Sequence, residues 1–204
     1  MPEMPEVETI RRTLDAKVTG RRIVRVEMLL PRLVKWPSPG EFQALLTDTV
    51  ISRLARRGKY LLFYLDSGIV MVVHLRMTGR LFIQNELNGD RFARIVFDLD
   101  DGKQLVYADS RTLGTLYAMP EPELWRIAGL HTMGPEPLSP EFTPGYFREK
   151  LLGRKGKIKA LLLDQKVIGG LGNIYVDESL ALAGIHPERA SDSLSEEESE
   201  RLYE

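Results

Sequence analysis

This chain opens with a proline and two glutamates in a pattern that can do chemistry. Met1-Pro2-Glu3-Met4-Pro5-Glu6 puts proline second and carboxylates at positions 3 and 6. Once Met1 is removed, Pro2 is the terminus and its nitrogen is a secondary amine, which no other residue supplies. An unperturbed terminal amine has a pKa of roughly 7.7 to 8.0, so a useful neutral fraction exists near neutral pH. Neutral amines attack electrophilic carbon and form Schiff bases. A secondary amine gives an iminium with no N–H proton to lose. That product stays cationic, acidifies the adjacent C–H bonds and favours elimination. Glu3 and Glu6 are candidates for the acid and base that move the protons. Proline and glutamate are also ordinary helix-start residues, and for an arbitrary chain that plainer reading is the commoner one.

Such an amine needs a rigid mount. Met4, Val7, Ile10, Leu14 and Val18 recur at three- and four-residue steps, which predicts an amphipathic helix over 3–17 ended by Gly20. The period then becomes strand-like. Strands are expected at 23–30, 50–54, 59–65, 68–75, 79–83, 93–99, 104–108 and 115–119, with a loop over 31–40 and a short helix over 41–46. Asp101-Gly102 marks a hairpin turn, since both residues tolerate positive φ. Leu124, Trp125, Ile127 and Leu130 read as a short packed helix. Met133-Gly134-Pro135-Glu136-Pro137-Leu138-Ser139-Pro140 is too rich in proline for regular structure and marks a linker. Beyond it the pattern is helical. Thr143-Pro144 starts one helix, and 155–163 and 174–183 form two more around a glycine-rich turn. Ser195 and Glu198 form a capping box for a last helix. The expected class is α+β: an N-terminal helix on an antiparallel β-sandwich, then a helical domain. The expected boundaries are 1–132, a linker at 133–142, and 143–204.

Composition limits the functions available. Hydrophobic content of 43% and charged content of 28% in 204 residues are those of a globular protein. No signal peptide or membrane-length apolar run is present, so a cytoplasmic location is expected. Without cysteine the chain has no disulfide, thiol nucleophile or cysteine-built zinc site. His74, His131 and His186 have no metal-ligand spacing, so no metal is expected in this chain. The net charge of −1 hides an asymmetry. Arg and Lys crowd 11–25, 53–59 and 154–159, while acids gather after 187, which permits a basic face.

The opening run through Val7-Glu8-Thr9-Ile10-Arg11-Arg12 closely resembles the start of bacterial formamidopyrimidine-DNA glycosylases, with Met4 where leucine is usual. The resemblance places the family's nucleophile on Pro2 and its partner carboxylates on Glu3 and Glu6. It continues through Arg57-Gly58-Lys59, His74-Leu75-Arg76-Met77-Thr78-Gly79 and Asp109-Ser110-Arg111-Thr112-Leu113-Gly114. It reaches a second long match from Leu161 to Gln165 and from Gly172 to Leu180, the helix–two-turn–helix signature. The resemblance implies that Lys59 contacts phosphate beside the lesion, within the catalytic set, and that His74 contacts phosphate. Lys155 and Asn173 fall on further phosphate-contacting positions. By spacing alone Asn173 is as readily a helix cap, although a helix N-terminus beyond a glycine turn also suits an anion.

An enzyme acting at a sugar carbon under a base must extrude the nucleotide, and apolar wedges then fill the gap. Met77, Arg111 and Leu113 are the trio that the resemblance implies for this task. Leu113 replaces the usual phenylalanine and stacks less well. The implied partner is double-stranded DNA carrying an oxidised base or an abasic site. The implied activity is excision of oxidised purines through a proline Schiff base with β,δ-elimination, by a monomer working at the bacterial nucleoid. Family members also carry a four-cysteine zinc finger beyond the last residue here, and Glu204 falls barely two turns into a helix. A C-terminal segment is therefore expected to be missing. Two other readings are an endonuclease VIII-like pyrimidine glycosylase and a binding-only protein for damaged or abasic DNA. The Glu-Met-Pro-Glu-Val start and the Arg111 segment favour the purine type.

Overall fold

The structure, a computed structural model, describes residues 2–85 and 90–204; the state of Met1 lies outside the described residues. Contacts divide the chain into two compact units, Met1–Ile127 and Ala128–Glu204.

In the first unit, helix α1 spans Met4–Val18 and buries Val7, Leu14 and Val18, with Ile10 packed at the edge of the same core. Its start is over-determined. Pro5 and Glu6 lie in the first turn, and the Glu6 carboxylate accepts the Glu3 N–H at 2.9 Å. Gly20, at φ 82°, ends the helix by donating its N–H to the Ile51 carbonyl at 2.7 Å.

Nine strands follow among the described residues: β1 (Arg22–Met28), β2 (Val34–Trp36), β3 (Thr49–Arg57), β4 (Tyr60–Leu65), β5 (Ile69–His74), β6 (Gly79–Gln84), β7 (Ala93–Leu99), β8 (Gln104–Asp109) and β9 (Thr115–Pro120). Their order is β2-β9-β5-β4-β3-β1-β7-β8-β6. Every pairing among the described residues is antiparallel except β2 with β9. The halves meet through β1 and β3, whose pairing covers only Arg22↔Val50 and Ile23↔Thr49. Ile95, Phe97, Leu105 and Tyr107 from one half share a single buried cluster with Leu61, Phe63, Met71 and Val73 from the other. Alternate residues of both halves thus face one core, which is the sandwich arrangement. The N-terminal helix contributes Val7 and Leu14 to it.

Three local expectations change in this unit. The expected loop over 31–40 contains a 3₁₀ turn (Pro31–Leu33), the short strand β2 and the start of helix α2 (Pro39–Leu46). Ser38 and Glu41 cap α2 reciprocally, which moves its start ahead of residue 41. In the β7–β8 hairpin Gly102 has φ 78°, whereas Asp101 is not among the described positive-φ residues. Trp125 does not lie on a packed helix. Residues Glu121–Arg126 form a 3₁₀ turn and Trp125 is 58% exposed, its ring beside the Arg126 guanidinium. Only Ile127 of that apolar group is buried, because a 3₁₀ turn eclipses i and i+3 and presents no wide apolar stripe.

The second unit begins with one turn, α3 (Ala128–His131), and an irregular proline-rich run. The Gly134 N–H bonds to the Gln165 carbonyl, and the Gly169 N–H to that of Pro135, both at 2.9 Å. Helices α4 (Pro144–Leu151), α5 (Ile158–Leu163), α6 (Asn173–Ala183) and α7 (Glu196–Tyr203) enclose Phe147, Ile158, Leu162, Val176 and Leu180. Thr143 caps α4, and Ser195 with Glu198 caps α7, as their sequences predict. Helix α5 starts at Ile158 rather than 155. The backbone before it is taken up elsewhere: Ser191 N–H bonds to Gly156 O, Asp192 N–H to Arg154 O, and Ile158 N–H to Arg189 O.

Candidate active site and nucleic-acid interface

The strand register brings the chemical residues of the first unit to one end of the sandwich. Tyr60 at the start of β4 pairs with His74 at the end of β5, and His74 pairs with Thr115 at the start of β9. Gly79 at the start of β6 pairs with Asp109 at the end of β8. The turn at 58–59 and the loops 75–78 and 110–114 therefore adjoin.

Gly58-Lys59 is a two-residue hairpin turn between β3 and β4, with Gly58 at φ 54°. The turn faces inward: Lys59 is buried. Burial pushes its ammonium below the usual lysine range, the Glu3 carboxylate opposes that shift, and Arg76 adds to it. Glu3, Lys59 and Arg76 thus share one electrostatic environment. Glu3 is itself only 2% exposed, directly after the half-buried Pro2.

His74 is buried against Tyr60, edge to face, with ring centroids 4.5 Å apart. Burial, aided by Arg76 and Lys59, holds its pKa down to about 3. Its Nδ1 accepts the Arg76 N–H at 3.1 Å. The neutral ring then keeps its proton on Nε2, which makes it a hydrogen-bond donor without charge. Met77 and Leu113 are 42% and 46% exposed at their loop tips. Each follows a non-glycine residue in the left-handed region, Arg76 at φ 55° and Thr112 at φ 54°. Arg111 is exposed in the second of these loops.

Sequence reasoning passed over Glu8. Its carboxylate accepts from Arg11, Arg12 and Arg56, and these bonds, chiefly that from Arg11, hold its pKa down to about 2. Arg56 also donates to the Gly58 carbonyl at 2.9 Å. One network therefore joins α1, the mount of Pro2, to the turn that carries Lys59. The arginines were visible as a basic cluster, but their shared partner was not.

In the second unit Lys155 lies exposed in the loop before α5. The turn into α6 is zipped by Gln165, whose amide donates to Leu163 O and Leu171 O and accepts the Gly170 N–H. Gly172 is the N-cap, and Asn173 is the first helical residue with its side chain exposed. Asn173 is not the helix cap.

Profiles of known families match both units. The profile of the formamidopyrimidine-DNA glycosylase N-terminal domain matches residues 1–116, and that of the formamidopyrimidine-DNA glycosylase H2TH domain matches 133–204. The chain belongs to the formamidopyrimidine-DNA glycosylase family. A formamidopyrimidine-DNA glycosylase of Symbiobacterium thermophilum is 50% identical over 204 residues, covering all of this chain and 67% of that protein. One from Pelotomaculum thermopropionicum is 45% identical over 204 residues, covering all of this chain and 74% of its relative. Among solved structures, a complex between the Lactococcus lactis Fpg and an abasic site containing DNA matches with a TM-score of 0.92 at 37% identity. The match covers 99% of this chain and 74% of that one. A complex of a Lactococcus lactis Fpg mutant with a Fapy-dG containing DNA gives the same TM-score at 38% identity and the same coverage. Fold class and family agree with the resemblance read from the sequence. With no cysteine, the residues present supply no thiolate to a metal. Among the described residues no group of three or more His, Asp or Glu could hold a metal ion, and no helix is long and apolar enough to cross a membrane.

Proposed function

We propose that this formamidopyrimidine-type DNA repair glycosylase excises oxidised purines, 8-oxoguanine and formamidopyrimidines, with Pro2 as nucleophile. The observation that carries the proposal is the buried Glu3 carboxylate, adjoining Pro2 in the chain and sharing an electrostatic environment with buried Lys59. The Pro2 nitrogen, freed of Met1, bonds to C1′ of the damaged nucleoside. Glu3 protonates the sugar ring oxygen as the C1′–O bond breaks and the ring opens, and the C1′–N bond to the base breaks, the base leaving with the proton that the Pro2 amine sheds. The nitrogen lone pair completes a cationic iminium at C1′. That cation acidifies C2′–H, and loss of this proton expels the 3′ phosphate; a second elimination expels the 5′ phosphate. Glu6 holds the terminus through the Glu3 N–H or assists proton transfer. Lys59, as a buried cation, and His74, as a neutral donor, bind phosphate beside the lesion. Met77, Arg111 and Leu113 occupy the gap left by the extruded nucleotide. Lys155 and Asn173 grip phosphate from the second unit. The partner is duplex DNA with an oxidised base or abasic site, bound by a monomer at the nucleoid.

A single-turnover assay on a duplex with one 8-oxoguanine opposite cytosine tests this reading. It predicts loss of the base and strand ends carrying phosphate on both sides of a one-nucleotide gap. An oxidised-pyrimidine duplex processed faster than this one would favour the endonuclease VIII-like alternative, which the family profiles do not support.

A further inference from the structure

One carboxylate lies between the two loops assigned to gap filling. Asp109, at the end of β8, is fully buried. Its Oδ1 accepts from the Thr78 hydroxyl at 2.5 Å and the Arg111 N–H at 3.1 Å. Its Oδ2 accepts from the Tyr107 hydroxyl at 3.2 Å and from the Leu113 and Gly114 N–H groups at 2.9 Å each. Thr78 adjoins Met77, so the carboxylate is bonded to the neighbour of one wedge and to the backbone of Arg111 and Leu113. The Arg111 N–H also reaches the Thr78 hydroxyl at 3.1 Å, which closes the link.

The surroundings leave this arrangement little slack. The Tyr107 hydroxyl fills the space that side chains at Gly79 and Gly114 would need. A Cβ at Gly114 would lie 1.7 Å from that oxygen, and one at Gly79 would lie 2.8 Å from it. Thus Thr78-Gly79 in one motif and Asp109 with Gly114 in the other serve one buried knot. Burial alone would raise the Asp109 carboxyl, but its bonds from Thr78, Gly114, Tyr107 and Arg111 keep it below the usual aspartate range. An ionised carboxylate can only accept, and five donors saturate its roughly four lone-pair sites. A neutral side chain cannot serve them all. The αL residues Arg76 and Thr112 are conformations that persist only where surrounding structure over-determines them, and the knot supplies that constraint.

We propose that Asp109 is a positioning residue that locks the Met77 loop and the Arg111–Leu113 loop into one insertion unit. Nucleotide extrusion depends on this lock, while the reaction at the sugar does not. The proposal rests on the reading of Met77, Arg111 and Leu113 as gap fillers. Two consequences follow from it. Base excision, which needs extrusion, is more sensitive to the knot than strand cleavage at a preformed abasic site. Met77 and Arg111 act non-additively, because either wedge holds its place through the same anchor.

The test uses Thr78→Val, which keeps the shape and removes only the bridging hydroxyl, and Thr78→Ser, which restores it. Asp109→Asn is the stronger variant, and thermal melts show whether it folds. Single-turnover excision of 8-oxoguanine is compared with cleavage of an abasic duplex, with 2-aminopurine fluorescence beside the lesion reporting extrusion. The expected result for Thr78→Val is an excision rate about tenfold lower, the scale of a lost hydrogen bond to a charge, together with a smaller 2-aminopurine signal. Abasic cleavage should change less than about twofold, and Thr78→Ser should restore excision. A Met77→Ala, Arg111→Ala cycle should show coupling that disappears in the Thr78→Val background. Equal loss of excision and abasic cleavage in Thr78→Val would reduce the knot to a purely structural role and overturn the proposal. Unchanged excision in Thr78→Val, with the wedge variants impaired, would overturn the lock alone. Unimpaired wedge variants would overturn the gap-filling reading and the lock with it.

Discussion

A charged imidazole is poorly accommodated at His74. The ring is buried, with Arg76 and Lys59 adding positive potential, and its pKa is held down to about 3 from 6.5. Between those values the unfolded chain binds a proton that the folded chain refuses. Stability from this residue is therefore complete above pH 6.5 and falls as pH drops toward 3, at up to roughly 1.4 kcal/mol per pH unit. Denaturant titrations across this range should show His74→Gln with a shallower acid-side slope than the parent. At Glu3 the issue is chemistry. Glu3→Gln keeps the shape and removes the proposed proton donor, so base excision should slow by about 10²-fold or more while duplex binding persists. Single-turnover rates and gel-shift affinities, measured together, separate the two. Both residues were legible as motif members. Asp109 was visible only as the first letter of a motif. Its donors at 78, 107 and 114 are brought together by β6–β8 pairing, which spacing along the chain does not reveal.

At the scale of elements, the period of the apolar residues carried most of the fold. Helix α1 reads from Val7, Ile10, Leu14 and Val18 because one face must bury, and β5 reads from the continuous run at 69–73. Strand β2 escaped notice because three residues between prolines hold no alternation, and its parallel partner β9 is far along the chain. The helix expected over 155–163 begins only at Ile158, because pairing with residues 189–192 takes the backbone around Lys155. The link between α1 and β3 was hidden for the same reason. Glu8 bonds two arginines on its own helix and a third, Arg56, on β3. Such partly exposed pairs are individually weak, yet three donors converge on one carboxylate. Glu8→Gln should lower stability by about 1–2 kcal/mol. Hydrogen exchange should show the first turns of α1 and the Gly58 turn opening more readily. Unchanged exchange at both would mean that the network does not hold the helix that carries Pro2.

For the whole molecule, a net charge of −1 does not describe what DNA would meet. Basic residues at 53–59 and 154–159 belong to the first and second units respectively, and the acids gather late in the chain. If Lys155 and Asn173 both contact phosphate, they should differ in a measurable way. Lys155→Ala should reduce the slope of log affinity against log salt by about 1. Asn173→Ala should weaken binding across sequences with that slope nearly intact, because it removes a neutral donor. A Lys155→Ala slope equal to the parent's would take Lys155 off phosphate, and an Asn173→Ala affinity equal to the parent's would do the same for Asn173.

The proposed reaction turns on a covalent bond from the Pro2 nitrogen to the sugar. Borohydride trapping tests it directly, on a duplex with 8-oxoguanine opposite cytosine and on an abasic duplex, using protein whose intact mass shows Met1 removed. A reduced covalent adduct is expected on both duplexes, mapped to the peptide that begins at Pro2. None is expected from protein that retains Met1, where that nitrogen is an amide. No adduct from protein with a free Pro2, or full adduct from the Met1-blocked form, would contradict it.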